Sequence, residues 1–565
     1  MHDGTELFYR VWEPAPAVGA VATKAAVLFH RGHEHSGRVG ELARTLTREG
    51  LRVFAWDQRG HGRSPGKRGY ANSFGAIVKD ADHFVRHICK QHEVEIRDVA
   101  VIGHSVGAVV AAAWVHDYAP PIRSLVLVTP AFRIKLYVPF AIPGLRLLAR
   151  LTKSAFIKSY VRSSMLTHDA EQAAAYDSDS LISRNISVNV LLGVHDTSTR
   201  LIADAAAIRT PTLLLSADSD WVVSVPAQRR FFDRLGSSVK RMETLSGFRH
   251  AALHETGRQQ VFDRISRFLA EAFDRPLLRE SDALSHAPAR TPPSGPIARL
   301  GFAIARTSLS TVGRLSQGIS LGWLSGFDSG RSLDHIYRNR AEGITALGRL
   351  LDRLYLDTPG WVGIRNRKRN MEVLLERAIR QTHSARQDVQ ILDVAAGPGR
   401  YVLDTMSRLP DVPIWAVLRD RDEKGLADGR AIAAKLGLTH VRHEVGDAFD
   451  SNSIASAQPR PTIGIVSGLY ELFDDNALIL RSLRALHSII KPDGLLLYTN
   501  QPWHPQLAFI ANVLTNRDGK PWIMRCRSQE EMDSLVAFAG FDKVAMETDE
   551  QAIFTVSLAR KRSVA

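Results

Sequence analysis

The stretch that most limits how this chain can fold is Gly103-His104-Ser105-Val106-Gly107, set between a short apolar run at 99–102 and an alanine- and valine-rich run at 108–118. The pattern reads as a strand, a sharp bend at one serine, and a helix. Glycines two residues either side of the serine leave room for a strained turn that exposes the hydroxyl beside a helix N-terminus. An apolar run of that length suits a parallel strand. Ser105 is therefore the predicted nucleophile, against the plainer reading of a Gly/Ser loop between two buried elements.

Such a serine needs a base and an orienting carboxylate, in the order Ser, Asp, His for this kind of site. Runs at 212–215 and 243–245 read as strands, and polar loops follow them: Ser216-Ala217-Asp218-Ser219-Asp220 and Ser246-Gly247-Phe248-Arg249-His250. Both loops would lie at carboxyl ends of parallel strands, where α/β sheets place their sites. The expectation is that His250 takes the serine proton and Asp220 holds its tautomer, although spacing alone leaves Asp218 and His254 open. The interval between Ser105 and Asp220 has room for an inserted cap at 131–207. Its residues Phe132, Leu136, Tyr137, Phe140, Ile142 and Leu145 suit an acyl chain, and the stretch 136–151 reads as buried.

The apolar run 25–29 ends in His30-Arg31-Gly32-His33-Glu34-His35. H-x-x-H-x-H is not a zinc spacing and no cysteine is near, so no metal is expected. The better reading is a loop whose backbone N–H groups face the nucleophile. Gly32 and Val106 are the expected oxyanion-hole pair. The charged turn Asp57-Gln58-Arg59-Gly60-His61-Gly62-Arg63-Ser64 matches no phosphate loop, and is expected to be a structural turn with Asp57 and Arg59 paired to each other.

Phe29 to Arg38, Asp57 to Ser64, Gly103 to Gly107, Ser216 to Asp220, and Gly247-Phe248-Arg249-His250 with Glu255 together resemble the monoacylglycerol-lipase and lysophospholipase branch of the α/β-hydrolases, over roughly residues 1–273. The resemblance implies an α/β-hydrolase domain, the triad Ser105, Asp220 and His250, a lid at 131–207, and a lipid-like ester as substrate. One departure is that the family's His-Gly-x-Gly is His30-Arg31-Gly32-His33 in this chain.

At 565 residues the chain exceeds one ordinary domain. Residues 274–296 are rich in proline and resist helix and sheet, so a linker is expected there. Residues 297–384 read as helical and basic, with Arg365-Asn366-Arg367-Lys368-Arg369 as a solvated face or an anionic rim. A net charge of +14, from 73 Lys and Arg against 59 Asp and Glu, favours anionic partners. The arginines are scattered and lack interleaved aromatics, so no nucleic acid is expected.

From 385 an alternating α/β pattern runs to 565. It opens with Ile391-Leu392-Asp393-Val394-Ala395-Ala396-Gly397-Pro398-Gly399, a strand ending in an acid and a tight glycine turn that lets a ligand lie against backbone. A third glycine for a dinucleotide register is missing. With Asp420 closing a second strand, Asp447 in Gly446-Asp447-Ala448-Phe449, and the turn Lys491-Pro492-Asp493-Gly494, the segment resembles the class I S-adenosylmethionine-dependent methyltransferases. The resemblance implies S-adenosylmethionine as cofactor, held by Asp393, Ala395, Gly397, Gly399, Asp420, Asp447 and Ala448. Asp420 would take the ribose hydroxyls and Asp447 the adenine amino group. Ser467-Gly468-Leu469-Tyr470-Glu471 lacks the Asn/Asp-Pro-Pro-Tyr/Phe signature of nucleic-acid amino-methyltransferases, which implies a small-molecule or lipid acceptor lined by Tyr470 and Glu471.

The expected fold is α/β in two domains: an α/β-hydrolase with inserted cap, and a Rossmann-like class I methyltransferase with an N-terminal helical segment. The whole resembles a bacterial class of fused hydrolase and methyltransferase proteins, which implies a bifunctional enzyme. The alternative is a methyltransferase carrying a non-catalytic, ligand-binding hydrolase-fold module. Two distant cysteines, Cys89 and Cys526, and a start without signal-peptide character give a cytoplasmic expectation, with peripheral contact at the inner membrane face.

Overall fold

In the computed structural model the described residues are 1, 3–15, 23–152, 154–276 and 295–562. The chain divides into two compact units, Met1–Leu278 and Arg279–Ala565. Most of the expected linker lies outside the described residues.

The runs at 25–29, 99–104, 124–128 and 212–217 become strands buried throughout, as parallel strands between helical layers must be. The strands of this unit are β1 (Tyr9–Trp12), β2 (Ala25–Phe29), β3 (Arg52–Trp56), β4 (Val99–His104), β5 (Ser124–Val128), β6 (Phe156–Lys158), β7 (Asn185–Ser187), β8 (Thr212–Ala217) and β9 (Lys240–Leu245). Seven form one sheet in the order β1-β3-β2-β4-β5-β8-β9, and β6 and β7 form a separate ribbon. β1 is antiparallel to β3; the other neighbours in the large sheet are parallel. The helix Val106–Tyr118 is buried almost all round, which explains why it reads as alanine and valine without an apolar stripe. On the other face Leu42, Leu46, Phe262 and Phe268 share a core with the strands.

Two local expectations are corrected. The stretch 136–151 is not buried: helix Ala141–Leu151 has no buried residue, and Tyr137, Phe140, Leu147 and Leu151 are exposed. This helix packs on the Val188–Ala203 helix, which leaves its other faces uncovered. Asp57 and Arg59 do not pair with each other. Asp57 accepts from the N–H groups of Ser36 (2.6 Å) and Arg63 (2.7 Å), holding the turn, while Arg59 binds Asp80 (2.5 Å) and Asp3 (2.9 Å). A carboxylate two residues away in a tight turn is better placed to accept backbone N–H groups than to reach along the chain.

In the second unit, helices Pro296–Ser310, Gln317–Ser325, Gly330–Arg338, Ala346–Leu356 and Pro359–Ser384 precede the sheet. The strands are β10 (Val389–Asp393), β11 (Ile414–Asp420), β12 (Val441–Val445), β13 (Ile463–Val466), β14 (Leu495–Asn500), β15 (Phe541–Thr548) and β16 (Thr555–Lys561). Their order is β12-β11-β10-β13-β14-β16-β15. β16 runs antiparallel to both neighbours and the rest are parallel. The chain thus winds outward from β10 through β12 and returns to the other side at β13. That reversal opens a crevice beyond the carboxyl ends of β10 and β13, the position where such sheets take ligands. The expected class, two α/β domains, is the observed one. Among the described residues, no helix is long and apolar enough to cross a membrane.

Candidate active sites

β4 delivers Ser105 at φ 55° and ψ −112°, a left-handed backbone that a non-glycine residue adopts at a cost and that recurs at functional sites. The turn can close because position 103 and position 107 are glycines: a Cβ at Gly103 would stand 2.5 Å from Ala108 Cα, and one at Gly107 2.3 Å from the carbonyl oxygen of Phe29. Ser105 Oγ lies 2.7 Å from His250 Nε2, and His250 Nδ1 lies 2.8 Å from Asp220 Oδ2. All three are buried. The second carboxylate oxygen, Oδ1, accepts from the N–H groups of Val222 (2.7 Å) and Val223 (2.9 Å). Burial raises the Asp220 pKa, but the His250 ring and those two N–H groups outweigh it and hold the carboxyl below the usual range. The alternatives left open have other partners: Asp218 accepts from Gly247 N–H, and His254 Nε2 faces the Arg38 carbonyl. The arrangement can move a proton from a serine hydroxyl to an oriented imidazole.

Gly32 and Val106 face each other beside the serine, with a Cβ at Gly32 standing 3.0 Å from Val106 Cγ2. His30 orients this loop. Its Nε2 accepts from the N–H of Gln58 (3.0 Å), so the ring proton sits on Nδ1 and is donated to the Arg31 carbonyl (2.8 Å). Burial lowers the His30 pKa, which keeps the ring neutral. Because the C=O and N–H of one trans peptide point opposite ways, fixing the Arg31 oxygen fixes the direction of the Gly32 N–H. The departure at Arg31 leaves the site unblocked, since its guanidinium binds Glu34 (2.8 Å) and stacks over Tyr176. His33 takes φ 71°, the conformation that a glycine would give at no cost.

A cavity of about 100 Å³ reaches the serine, lined by Leu136, Ile157, Tyr160, Val161 and Val190 of the cap segment together with Ser105 and His250. Its walls are mostly apolar. Behind the triad, Glu34, His104 and His254 bring one ligand atom each within 4.8 Å of one another. This cluster was not legible in the sequence, because its members come from three distant segments. Arg31 lies 2.8 Å and Arg38 3.6 Å from the same Glu34, and their charge already balances the carboxylate. His30, His33 and His35 do not converge: His35 binds Asp179 (2.9 Å).

In the second unit, a cavity of about 700 Å³ lies at the sheet reversal. Ala395, Gly397, Gly399, Asp420, Asp447 and Ala448 all line it. Gly397 and Gly399 have φ 54° and 67°, and a Cβ at Gly399 would stand 2.5 Å from Leu418 Cδ1. Asp420 Oδ2 accepts from Gly397 N–H (2.8 Å) and Oδ1 from Asp422 N–H (2.9 Å), which leaves each oxygen a further lone pair. Asp447 accepts from Phe449 N–H (2.8 Å). Asp393 is placed differently. It is fully buried beneath the turn, bound by the Tyr401 hydroxyl and by Ala395 N–H (3.1 Å), and is not among the lining residues. Burial, with the Asp420 charge, pushes it up to about 7 against those two bonds. Tyr470 is turned away, donating to Ser482 Oγ (2.9 Å), while Glu471 accepts from Arg367 (3.2 Å). Arg367 is therefore buried, not part of a solvated basic face.

Residues 21–257 match the family model of serine aminopeptidase S33. The chain is 26% identical over 47% of its length to the monoacylglycerol lipase of Mycolicibacterium smegmatis, of which it covers 93%. A crystal structure of Paleococcus ferrophilus monoacylglycerol lipase covers 47% of this chain and 99% of its own, at 25% identity and a TM-score of 0.43. Over 99% of the chain and 97% of the relative, it is 46% identical to the uncharacterized protein YnbC of Escherichia coli (strain K12). Residues 263–561, more than half of the chain, match one further family model. By that span, the chain belongs to the family described as "Putative methyltransferase", preceded here by an α/β-hydrolase half.

Proposed function

We propose that the chain is bifunctional, with a serine ester hydrolase in the first unit and S-adenosylmethionine-dependent methyl transfer in the second. The observation that carries the hydrolase is the relay from Ser105 Oγ through His250 to Asp220 at 2.7 and 2.8 Å, on a serine held at positive φ. In this reading His250 takes the serine proton as Oγ attacks the ester carbonyl, Asp220 steadies the imidazolium, and the Gly32 and Val106 N–H groups receive the charge on the carbonyl oxygen. An intact relay favours catalysis over a merely ligand-binding module. The apolar cavity and the likeness to a monoacylglycerol lipase support a lipid-like ester. The exposed Phe140, Leu147 and Leu151, with Arg150 among them, support contact with the lipid surface that presents it. Two free cysteines fit a reducing, cytoplasmic setting.

The second cavity fits S-adenosylmethionine by its chemistry. Asp420 has one lone pair left on each oxygen for a pair of ribose hydroxyls, the glycine turn lets backbone approach the ligand, and the volume suits a nucleoside with a side chain. The cofactor would supply an electrophilic methyl group; the protein's share is to position an acceptor in line with it. Asp393 serves this site by holding the turn, not by contact.

Fluorophosphonate labelling of the full chain tests the hydrolase. Wild type should label and Ser105→Ala should not; an unlabelled wild type, or equal labelling of both, would defeat the reading.

A further inference from the structure

A second cavity of about 300 Å³ adjoins the proposed methyl-donor cavity and is built from the helices that precede the sheet together with residues 501–554. The two share Asp328, Leu333, Arg367, Gly468 and Leu472 as lining. Its walls are apolar and rich in rings: Tyr355, Trp361, Trp522 and Phe554 all face it, with Trp361 and Trp522 stacked at 6.0 Å between centroids. Polar groups interrupt these walls, among them Asp328, Arg367, Glu471 and His504. Glu471, buried, shares its Oε1 with Arg367 (3.2 Å), while its Oε2 has no hydrogen-bond partner among the described residues. Trp522 Nε1 is likewise buried and unpaired. Unsatisfied groups of this kind are uncommon in native interiors and point to a partner that arrives from outside. At another point on the wall, His504 Nδ1 accepts from Gln506 N–H (3.1 Å), and burial holds the ring near pKa 4. The neutral ring therefore carries its proton on Nε2, against Gly360.

We infer that this cavity binds the methyl acceptor, and that the acceptor is a neutral apolar molecule bearing a hydroxyl, of the phenol class; the inference rests on the larger cavity holding S-adenosylmethionine. The charge pattern selects the class. Glu471 is already paired with Arg367 (3.2 Å), and Asp328 accepts from Arg517 N–H (2.7 Å), so the lining charges are compensated. An ammonium or a carboxylate would bring a charge with no counter-charge left to meet it. An uncharged O–H donates to Glu471 Oε2 without that conflict, and an aromatic body suits the ring-lined wall. The volume lies at the lower end for ligand sites, which fits a ring with a short substituent and not a lipid with two chains. As the hydroxyl oxygen gains the methyl group its O–H bond breaks, Glu471 Oε2 takes the proton, and the sulfonium becomes a neutral thioether. Charge balances: one cation and one carboxylate become two neutral groups. Glu471 is thus a catalytic residue, kept in place by Arg367.

The test uses the full chain, 4-propylphenol and its methyl ether 4-propylanisole as probes, and Glu471→Gln as the variant. Glutamine keeps an acceptor for Arg367 but places an NH₂ where Oε2 stood. Calorimetry should show 4-propylphenol binding to wild type and weakening about tenfold or more in Glu471→Gln, with 4-propylanisole affinity unchanged. S-adenosylmethionine should bind both proteins equally. Incubated with both ligands, wild type should yield 4-propylanisole by mass spectrometry and the variant none. Absence of S-adenosylmethionine binding by wild type overturns the donor reading, and the acceptor role with it. If S-adenosylmethionine binds while the phenol does not, or while phenol affinity and methyl ether yield ignore Glu471→Gln, the acceptor assignment alone is overturned.

Discussion

Replacing Asp220 by asparagine should cripple the hydrolase without disturbing its fold, and the reason lies in which oxygen is pinned. Oδ1 accepts two backbone N–H groups, from Val222 and Val223, whereas Oδ2 faces His250 Nδ1 alone. Asparagine has one accepting atom, and two fixed donors claim it. The NH₂ group must then face His250 Nδ1, which can meet it only as an unprotonated acceptor. The ring proton moves to Nε2, the atom 2.7 Å from Ser105 Oγ, so the base is occupied by a proton before it can act. In a serine protease the equivalent swap lowers kcat by about 10⁴-fold, equal to about 5.4 kcal/mol of barrier at 1.36 kcal/mol per factor of ten. The same order is expected here. The assay is hydrolysis of a 4-nitrophenyl ester by wild type, Asp220→Asn and Asp218→Asn. Asp218 accepts from Gly247 N–H and Ser219 Oγ, away from the relay, so its variant should stay near wild type. An Asp220→Asn protein within tenfold of wild type, or an Asp218→Asn protein equally impaired, would refute the tautomer argument.

Asp420→Ala should weaken S-adenosylmethionine binding by about ten- to a hundredfold, since a charged acceptor for two hydroxyls is lost; calorimetry showing unchanged affinity would place the ribose elsewhere. Asp393 titrates near 7 in the folded protein, above the ordinary value of 3.8. Between those values only the unfolded form has released the proton, so this group makes stability fall as pH rises from about 4 to about 7, with no further change above. Asp393→Asn keeps an acceptor for Ala395 N–H and a partner for Tyr401, and should remove that part of the slope in melting curves; an unchanged slope counts against a neutral Asp393. His33→Gly should raise thermal stability by relieving the positive φ, a strain of about 1–2 kcal/mol, provided the half-buried imidazole contributes less than that. Loss of stability would show that His33 packing outweighs its backbone cost.

What could be read from the sequence was whatever is local. The elbow at Ser105, the loops after β8 and β9, and the turn after β10 each depend on a strand followed at once by a polar or glycine-bearing bend, a relation confined to a few adjacent residues. Partnerships across long intervals were not legible. Arg367 and Glu471 stand 104 positions apart, so Arg367 looked like one member of a solvated basic run. Arg59 finds Asp80 rather than its neighbour Asp57 for the same reason. Asp393 is not among the residues lining the larger cavity because Tyr401, eight positions on, draws it under the turn, and an acid followed by a tyrosine across a glycine turn is a signal too common to interpret unaided. The stretch 136–151 failed as a burial prediction because apolar composition does not say whether a neighbour exists to cover it.

The order of the strands along the first unit also governs when its chemistry can switch on. Ser105 follows the third strand of the parallel set, but Asp220 follows β8 and His250 follows β9, the last strand to be made and the one at the sheet's edge. During synthesis the nucleophile therefore leaves the ribosome long before its base, and a chain stopped short of β9 carries an elbow with nothing to deprotonate it. Hydrolysis becomes available only when the edge strand docks. On the proposed mechanism, a nascent or truncated polypeptide would be inert toward the esters around it, and catalytic competence would report that the whole sheet has closed.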